Sequence, residues 1–331
     1  MLLGAREPVT TPPPPAEGVR LDWLAMPAHV RRAVEQWAGS VVSSAISQRS
    51  GFSPGVAARL RLADGRRLFI KAVGPLPNAE AASLHRREGR IVAALPDNVA
   101  VPRLQWAFDE GDEGWVVLVF DEVMGDHPAQ PWRLNELDRV LHGLVRLTEM
   151  LTPSPLPTSA VGAAADIVAR QLCGWQRLRQ QPADDLIRLD AWSRRHLDAL
   201  ADLEAHAPAA VIGETLLHFD VRADNLLLTR DKVWFFDWPH ARIGASWLDA
   251  VAFAPSVTMQ GGPPPDDVIG RFPAAQTADP QAITAAVATV AGYFTRQALQ
   301  PPPPGLPTLR AFQAAQGVVA REWLAARTGW T

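Results

Sequence analysis

Two oxygen-bearing side chains become neighbours if one stretch of the chain, LLHFDVRADNLLLTRDKVWFFDW, folds as its pattern predicts. Apolar runs flank a turn at residues 230–231, and pairing them as a β-hairpin sets position 225 opposite position 236. Asn225 and Asp237 then lie side by side at the open end of the hairpin. Oxygen ligands from two segments suit a hard cation, and Mg²⁺ bound to nucleotide phosphates is the natural candidate.

The spacing around Asp220 indicates proton-transfer chemistry. His218, Asp220 and Asn225 fit His-x-Asp-x-x-x-x-Asn, the spacing with which the catalytic loop of protein kinases provides a base and a Mg²⁺ ligand. Asp220 is therefore the candidate base, and His218 is interpreted as structural. The alternative is that Asp220, Asp224 and Asn225 only form turns. The hairpin that brings Asp237 to Asn225 favours the functional interpretation.

Lys71 is one of only two lysines, whereas thirty of the 32 lysine and arginine residues are arginine. It lies inside the strand-like segment LFIKAV, where a compact ammonium facing a cleft can hold nucleotide phosphates as a point charge. The alternatives are a lysine that protects an edge strand and a side chain that extends to water over apolar surface. The scarcity of lysine favours a specific role.

Glu88 interrupts the apolar stripe of a predicted helix over residues 79–95. A carboxylate on such a face is costly unless it is paired. Lys71, seventeen positions earlier, is the expected partner, and the alternative is a boundary glutamate that pairs with Arg87. The sequence therefore predicts an ion pair between Lys71 and Glu88 across a contact of strand and helix.

Lys71 belongs to the second arm of a predicted β-hairpin, VAARLRLADGRRLFIKAV. Alternating runs flank the dipeptide Asp64-Gly65, which is a strong turn signal. A two-residue turn there sets Ala58 opposite Lys71 and places the two side chains on one face of the sheet.

The segment RSGFSPG precedes that hairpin and is a candidate phosphate cradle. Gly51, Phe52, Ser53 and Gly55 make up most of it, and small residues allow backbone N–H groups to approach a phosphate. Most segments of this composition are ordinary turns, but the position directly before the strand of Lys71 favours the cradle.

The pattern of elements predicts an α+β protein with two lobes. Residues 1–20 form a flexible Pro-rich tail, because a proline run neither donates hydrogen bonds nor continues a helix. Residues 21–122 contain strand signals and form a nucleotide-binding lobe, a small antiparallel sheet with one helix. Residues 123–331 are mainly helical and form the catalytic and acceptor-binding lobe. A ligand is expected in the cleft between the lobes.

Composition excludes several classes of protein. The chain has 331 residues, of which 47% are hydrophobic, and a net charge of −3, so wholesale disorder and the basic surface of a nucleic-acid-binding protein are not expected. A single cysteine, Cys173, excludes an intramolecular disulfide and a cysteine metal cluster. No segment has the length and apolarity of a membrane helix or a signal peptide, so a cytoplasmic protein without membrane partners is predicted. The oligomeric state is left open.

These motifs together resemble the aminoglycoside phosphotransferase-like family, small-molecule kinases with the two-lobed fold of protein kinases. The resemblance covers nearly the whole chain after about residue 20 and is strongest at HFDVRADN and FFDW, with further matches at FIKAV and HRREGRIVAAL. It implies ATP and Mg²⁺ as cofactors. By this resemblance Asp220 is the catalytic base, Asn225 and Asp237 bind Mg²⁺, and Lys71 binds phosphate with Glu88 as its ion-pair partner.

The resemblance also implies supporting segments. LVFDEVMG looks like the hinge that binds adenine through its backbone, which implicates Phe120, Asp121, Glu122 and Val123. Asp249 resembles a buried aspartate that braces the catalytic loop in these kinases.

Two departures from related kinases bear on the substrate. Phe219 stands where the small-molecule kinases usually have Gly and protein kinases have Arg. No A-P-E sequence follows Asp237, and Asp249 comes only twelve residues later, which leaves no room for a protein-kinase activation loop. Protein substrates are therefore disfavoured.

The main interpretation is an ATP-dependent phosphotransferase that moves the γ-phosphate to a hydroxyl group of a small molecule, with antibiotics and sugars among the candidates. The alternative is a catalytically weak, nucleotide-binding regulatory protein on the same fold. An aminoglycoside acceptor would suit an acidic pocket, to which the pairs at 184–185 and 266–267 could contribute, although exposed acidic loops explain both pairs equally well.

Overall fold

Five antiparallel strands form the sheet of the N-terminal lobe in the computed structural model, which describes residues 14–49, 51–52, 54–75 and 79–331. The strands are arranged in the order β1-β2-β3-β5-β4. Their bounds are β1 Val42–Ser47, β2 Val56–Leu62, β3 Arg67–Val73, β4 Leu104–Asp109 and β5 Val116–Asp121.

A helix packs on each face of this sheet. Helix α1 (Ala28–Ala38) buries Val30 and Val34 against the strands. Helix α2 (Ala79–Ala93) lies against β3, β4 and β5, within two residues of the predicted span. Gly89 of α2 sits so close to Leu118 of β5 that a Cβ there would lie 2.9 Å from the leucine side chain. That close approach brings the preceding residue, Glu88, down onto the sheet.

The predicted pairing of the β2–β3 hairpin was wrong by one residue. Lys71 pairs with Ala57, and Ala58 pairs with Ile70. The connection has three residues, because the amide of Gly65 donates to the carbonyl of Leu62 at 3.0 Å and Gly65 adopts a φ of +91°. A type I turn followed by a left-handed glycine gives a three-residue loop, and a shift of one residue exchanges the faces of the partner strand.

Fourteen α-helices, three short 3-10 helices and four short strands are the regular elements outside the five-stranded sheet in the described part of the chain. In the C-terminal lobe the helices are α3 Leu134–Met150, α4 Thr158–Val161, α5 Ala164–Arg170, α6 Gly174–Arg179, α7 Ala191–Arg195, α8 Leu197–Glu204, α9 Ala207–Ala210, α10 Leu248–Met259, α11 Pro265–Ile269, α12 Pro273–Gln276, α13 Pro280–Ala298 and α14 Leu309–Thr328. The strands are β6 Thr215–Leu217, β7 Leu226–Leu228, β8 Val233–Phe235 and β9 Arg242–Gly244, and they pair as β6–β9 and β7–β8. Buried side chains of these elements form one core, and α13 packs along α14.

This architecture is the predicted α+β fold with two lobes. Strand β5 ends at Asp121 and α3 begins at Leu134. We keep residues 122 and 123 as the proposed boundary between the lobes. Cys173 is buried, and no described helix is long and apolar enough to cross a membrane.

Residues 14–21, within and just beyond the predicted flexible tail, are joined to both lobes. The amide of Gly51 donates to the carbonyl of Ala16 at 2.8 Å, and the amide of Leu21 donates to the carbonyl of Gly55 at 3.0 Å. On the other side, the amide of Val19 donates to the carbonyl of Gly305 at 2.8 Å. The residues after the proline run have backbone N–H groups, so the absence of donors that suggested a tail does not extend to residue 20.

Candidate functional site

The cleft between the lobes is crossed by one lysine held by two carboxylates. Lys71 Nζ donates to both oxygens of Glu88 at 2.7 and 2.8 Å and to Asp237 Oδ1 at 2.8 Å. Lys71 and Glu88 are 8% and 3% exposed, so the predicted ion pair is confirmed in a nearly dry environment. Arg87, the alternative partner, instead donates to backbone carbonyls of Pro239, Val161 and Ala241.

The charges of this group keep Lys71 protonated. Burial alone would disfavour its ammonium, but the negative charges of Asp237 and Glu88 outweigh that effect and raise the pKa of Lys71. Although burial disfavours the ionised form of Asp237, Lys71 outweighs it and lowers the pKa of Asp237. The site therefore presents a fixed positive charge at the junction of the two lobes.

The catalytic-loop segment after β6 is held by Asp249. Its carboxylate accepts from the backbone amides of His218 and Phe219, both at 2.8 Å, as the resemblance implied. Burial raises the pKa of Asp249 to about 6 in spite of these hydrogen bonds. Phe219 has a φ of 66°, a left-handed conformation that favours glycine, which explains why glycine is usual at this position in the related kinases.

His218 is a structural residue of the same segment. Its Nε2–H donates to the carbonyl of Phe236 at 2.9 Å, and its Nδ1 accepts from the amide of Asp220 at 3.3 Å. Burial lowers the pKa of His218 to about 4, so the ring is neutral at ordinary pH. The histidine ties the catalytic loop to the β7–β8 hairpin.

Asp220 lies in a cluster that the sequence analysis did not foresee. Arg222 Nη1 donates to its two carboxylate oxygens at 2.7 and 2.9 Å, and the same guanidinium holds Asp224 at 2.8 and 3.0 Å. Burial raises the pKa of Asp220 although Arg222 acts in the opposite direction, so this carboxylate is a stronger base than a free aspartate. The sequence signal for this cluster was the spacing D-x-R-x-D, in which one arginine stands between Asp220 and Asp224.

The β7–β8 hairpin has the predicted register. Leu226 pairs with Phe235, and the amide of Phe236 donates to the carbonyl of Asn225 at 3.2 Å. Asn225 Nδ2 donates to the carbonyl and to Oδ2 of Asp220 at 2.9 and 3.1 Å, which leaves its amide oxygen available. Asp237 uses Oδ1 for Lys71, and both residues line one cavity.

An amide oxygen and a carboxylate oxygen fit a hard cation such as Mg²⁺, which keeps several waters and takes phosphate oxygens as further ligands. No group of three or more His, Cys, Asp or Glu side chains in the described part of the chain could hold a metal ion by itself. A cation at this site would therefore depend on nucleotide phosphates for part of its coordination.

The candidate phosphate loop lies over the same cavity. Gly55 has a φ of +98°, and a Cβ there would lie 2.5 Å from the carbonyl oxygen of Ala72, so only glycine fits. The ring of Phe52 contacts the ring of Phe312 at 5.2 Å and faces the guanidinium of Arg222 at 5.3 Å. Gly51 lines the cavity, whereas Ser53 lies outside the described residues.

The cavity under this loop encloses about 90 Å³. Its wall includes Lys71, Glu88, Asn225, Asp237 and the four predicted hinge residues, Phe120, Asp121, Glu122 and Val123. The side chain of Glu122 is held by Arg67 at 2.7 Å. Phosphate-binding, metal-binding and hinge candidates thus surround one space between the lobes.

Arg20 is a second residue that the sequence analysis missed. It lines this cavity, and its Nη2 donates to the carbonyl of Gly51 at 3.5 Å. Burial lowers the pKa of Arg20, while the charges of Asp237 and Asp224 act in the opposite direction. No local motif marked it, because it lies in a segment that carried only the signal of a Pro-rich tail.

Comparison with known proteins agrees with this geometry. The model of the phosphotransferase enzyme family (APH) matches residues 50–293, well over half of the chain. The chain therefore belongs to this family of phosphotransferases. A search of curated protein sequences found no match.

Solved structures share the fold at low sequence identity. The crystal structure of aminoglycoside phosphotransferase APH(4)-Ia is 13% identical, with a TM-score of 0.60 over 90% of this chain and 98% of that one. The GDP and kanamycin complex of APH(2")-IIia is 15% identical, with a TM-score of 0.61 over 92% and 99%. A putative fructosamine-3-kinase from Thermobifida fusca YX-ER1 is 18% identical, with a TM-score of 0.54 over 88% and 98%. Family and fold support a small-molecule phosphotransferase.

Proposed function

We propose that the protein transfers the γ-phosphate of ATP to a hydroxyl group of a small molecule. The observation that carries the proposal is that Lys71 is fixed by Glu88 and Asp237 in one cavity, while Asp220 faces a second, adjacent cavity. The two cavities share Glu88 and Asp237, so nucleotide phosphates in one and an acceptor in the other could meet there. Structural relatives in complex with ADP, AMP-PNP and GDP support a nucleoside phosphate as the donor.

Each residue has a role that follows from its charge and position. Lys71 binds the donor phosphates, and Glu88 orients Lys71. Asn225 and Asp237 would hold Mg²⁺, which neutralises phosphate charge when it is bound. Asp220 takes the proton of the acceptor hydroxyl as the bond between the γ-phosphorus and the bridging oxygen of ADP breaks and a bond to the acceptor oxygen forms.

The hinge and the phosphate loop would complete the nucleotide site. The backbone of residues 120–123 is proposed to bind the base, and Gly51, Phe52 and Gly55 would cover the phosphates. Ser53 is proposed to belong to the same phosphate-binding loop because of its position in the sequence alone.

A catalytically weak, nucleotide-binding protein is the second candidate, and one observation favours it. Both carboxylate oxygens of Asp220 accept hydrogen bonds from Arg222. An acceptor hydroxyl has to compete with that guanidinium, or share the carboxylate with it. If Arg222 keeps both hydrogen bonds to Asp220, nucleotide would bind but the phosphoryl group would be transferred slowly.

The two candidates are separated by measuring binding and turnover on the same preparation. We expect Mg²⁺-ATP to raise the melting temperature, and ADP to be released faster when a suitable hydroxyl compound is added. A Lys71→Met variant is the control, because it should lose both responses. Stabilisation by Mg²⁺-ATP without acceptor-dependent ADP release across a broad panel of alcohols would favour the regulatory protein.

A further inference from the structure

A large cavity adjoins the segment that carries Asp220 and shares Glu88 and Asp237 with the cavity around Lys71. It encloses about 530 Å³ and is lined by Asp220 at one end. Its walls come from the phosphate loop, α2, α5, α13, α14 and the segment before α14. Most of the lining side chains are apolar, among them Phe52, Pro54, Leu84, Ile167, Val168, Leu172, Val290, Phe294, Leu306, Leu309 and Phe312.

The carboxylates that face this cavity already have cationic partners. Asp220 is held by Arg222, and both Asp237 and Glu88 are held by Lys71. Glu80, which lies at the exposed start of α2, is the remaining acidic residue among the described lining residues. Four carboxylates therefore line the wall, and Lys71 and Arg222 neutralise part of their charge.

The acidic pairs that could have made an acidic pocket lie elsewhere. Asp184, Asp266 and Asp267 do not line the cavity, and Asp266 is paired with Arg327 at 2.8 Å. An electrostatic attraction for an aminoglycoside, which those pairs would have provided, is not built into this wall.

Two arginines of the wall carry positive charge without an acidic partner. Arg310 donates to Gln297 at 3.0 Å and to Gln313 at 2.7 Å, and Arg242 donates to the carbonyls of His240 and Ala241. Neither arginine forms an ion pair with a described carboxylate. Burial lowers the pKa of Arg242 to about 10, so it remains charged at neutral pH. Together with Arg222 and with Lys71, which contacts Glu88 and Asp237, these two arginines balance the four lining carboxylates, so the wall has no net negative charge.

The polar groups that remain are neutral. The only tyrosine in the sequence, Tyr293, lies on the wall near Asp220, whose charge adds to burial in raising the pKa of the phenol. Gln316 also lines the cavity, is 3% exposed, and makes no hydrogen bond to another residue that the structure describes. Gln316 can therefore offer its amide to a hydroxyl or carbonyl group of a ligand in the cavity.

We propose that the acceptor is a predominantly apolar hydroxyl compound that carries no positive charge. That this ligand is the phosphate acceptor rests on the proposed phosphotransfer. Its chemical class rests on the cavity alone. Burying apolar surface stabilises such a complex, while a polycation would lose its hydration in a mostly apolar wall that has no net negative charge to replace it. Kanamycin, found with a structural relative, is the type of compound that this cavity excludes.

The ligand class can be tested without turnover. The fluorescent probe 1-anilinonaphthalene-8-sulfonate, an apolar anion, should bind the folded protein saturably, and neutral steroid and terpene alcohols should displace it. Kanamycin should leave the fluorescence unchanged. Displacement by kanamycin but not by the alcohols would overturn the proposal.

A pair of variants locates the probe. Val290→Glu places an anion inside the cavity, where it repels the sulfonate of the probe, and should weaken probe binding at least tenfold. Val318→Glu is the matched control on α14, where Val318 is 46% exposed outside the cavity, and should bind the probe as the wild type does. Both variants should keep the rise in melting temperature with Mg²⁺-ATP. Unchanged probe binding in a Val290→Glu protein that is folded by that criterion would overturn the proposal.

The same compounds, tested for ADP release, separate this inference from the proposed function. ADP release with apolar alcohols and not with kanamycin supports both. ADP release with kanamycin alone overturns the ligand class and leaves the phosphotransferase intact. Displacement of the probe by the alcohols, with no ADP release from any compound, supports the cavity chemistry and contradicts the catalytic function.

Discussion

The proposed catalytic centre and the proposed acceptor cavity are adjacent but are built in opposite ways. In the centre, Lys71 has two carboxylate partners, and Arg222 also has two. In the cavity, apolar side chains from distant segments form most of the wall, and Arg310 has no carboxylate partner among the described residues. The structure of the centre depends on a few ion pairs, whereas the shape of the cavity is formed by many apolar side chains together.

This difference determines how each region responds to substitution. Removing one member of a buried charge pair leaves the other charge uncompensated, so single changes in the centre have large effects. Removing one contact from a broad apolar wall changes only part of the binding energy. Experiments that compare the two regions should therefore give effects of different size.

The largest effect is expected at the proposed base. Asp220→Asn keeps the shape of the side chain and can still accept from Arg222, but it cannot take a proton. We expect turnover to fall by roughly 10²- to 10⁴-fold, the range for loss of a general base, while affinity for Mg²⁺-ATP is retained. ADP release and calorimetric titration with ATP measure the two quantities.

Asp231→Asn is the control for that variant. Asp231 lies exposed on the turn of the β7–β8 hairpin, and the substitution should leave turnover unchanged. Full activity in Asp220→Asn would contradict the assignment of the base, and loss of ATP binding would indicate a role in folding instead.

A slightly smaller effect is expected on the stability of the protein when the buried ion pair of Lys71 and Glu88 is broken. Lys71→Met leaves Glu88 buried without its cation, which should lower the free energy of unfolding by about 3–5 kcal/mol. Adding Glu88→Gln removes that charge and should recover part of the loss, while phosphate binding stays lost. Urea denaturation of the two variants provides the measurement. Equal stability of the single and double variants would show that Glu88 is not held by Lys71 in solution.

A third prediction concerns Glu204, a buried carboxylate of the C-terminal lobe. It asks whether such a carboxylate can stay ionised in the folded protein without a cationic partner. Glu204 is 1% exposed and accepts from the amides of Trp175 and Gln176 at 3.2 and 2.9 Å, and burial raises its pKa to about 7. The folded state then holds a proton that the unfolded chain releases near pH 4.5, so this contribution to stability is lost as the pH rises toward 7.

The difference in free energy of unfolding between the wild type and Glu204→Gln should therefore fall by about 3 kcal/mol from acid to neutral pH. The variant has no titrating group at this position, and all other ionisable groups are common to both proteins. Denaturation curves at several pH values measure the difference. A difference that does not change with pH would mean that Glu204 ionises normally and that the carboxylate needs no cation.

The smallest effect is expected on the cavity wall. Tyr293→Phe removes one hydroxyl group near Asp220 and should raise the KM of the acceptor by no more than about tenfold, since one hydrogen bond contributes about 1 kcal/mol. The KM for ATP should not change. A loss of turnover comparable to that of Asp220→Asn would break the comparison, because a wall residue would then act like a member of the centre.

The same contrast explains what could be predicted from the sequence. Glu88 was identifiable because a charge on an apolar stripe needs a partner, and the β7–β8 register followed from one turn. Asp249 was recognised only through resemblance, since a single aspartate in an apolar helix has no local pattern.

The rest depended on contacts between distant segments. Residues of the cavity wall such as Phe52, Val290 and Phe312 have the types expected of any core, and nothing in their spacing shows that they surround one space. The β2–β3 register was missed because Asp64-Gly65 serves two- and three-residue loops equally well. A two-residue type I′ turn needs a positive φ at both residues, and Asp64 does not adopt one.

The backbone contacts of residues 16–21 have a consequence for how the two lobes separate. On the side of the phosphate loop, three backbone hydrogen bonds join this segment to Gly51 and Gly55. On the side of the C-terminal lobe, one backbone bond to Gly305 and contacts with the Thr308 hydroxyl join it to the chain before α14. When the cleft opens to exchange nucleotide, the hydrogen bonds to Gly305 and Thr308 should break before those to Gly51 and Gly55. The segment would then travel with the N-terminal lobe as part of one rigid body, and the plane of opening would pass between Val19 and Gly305.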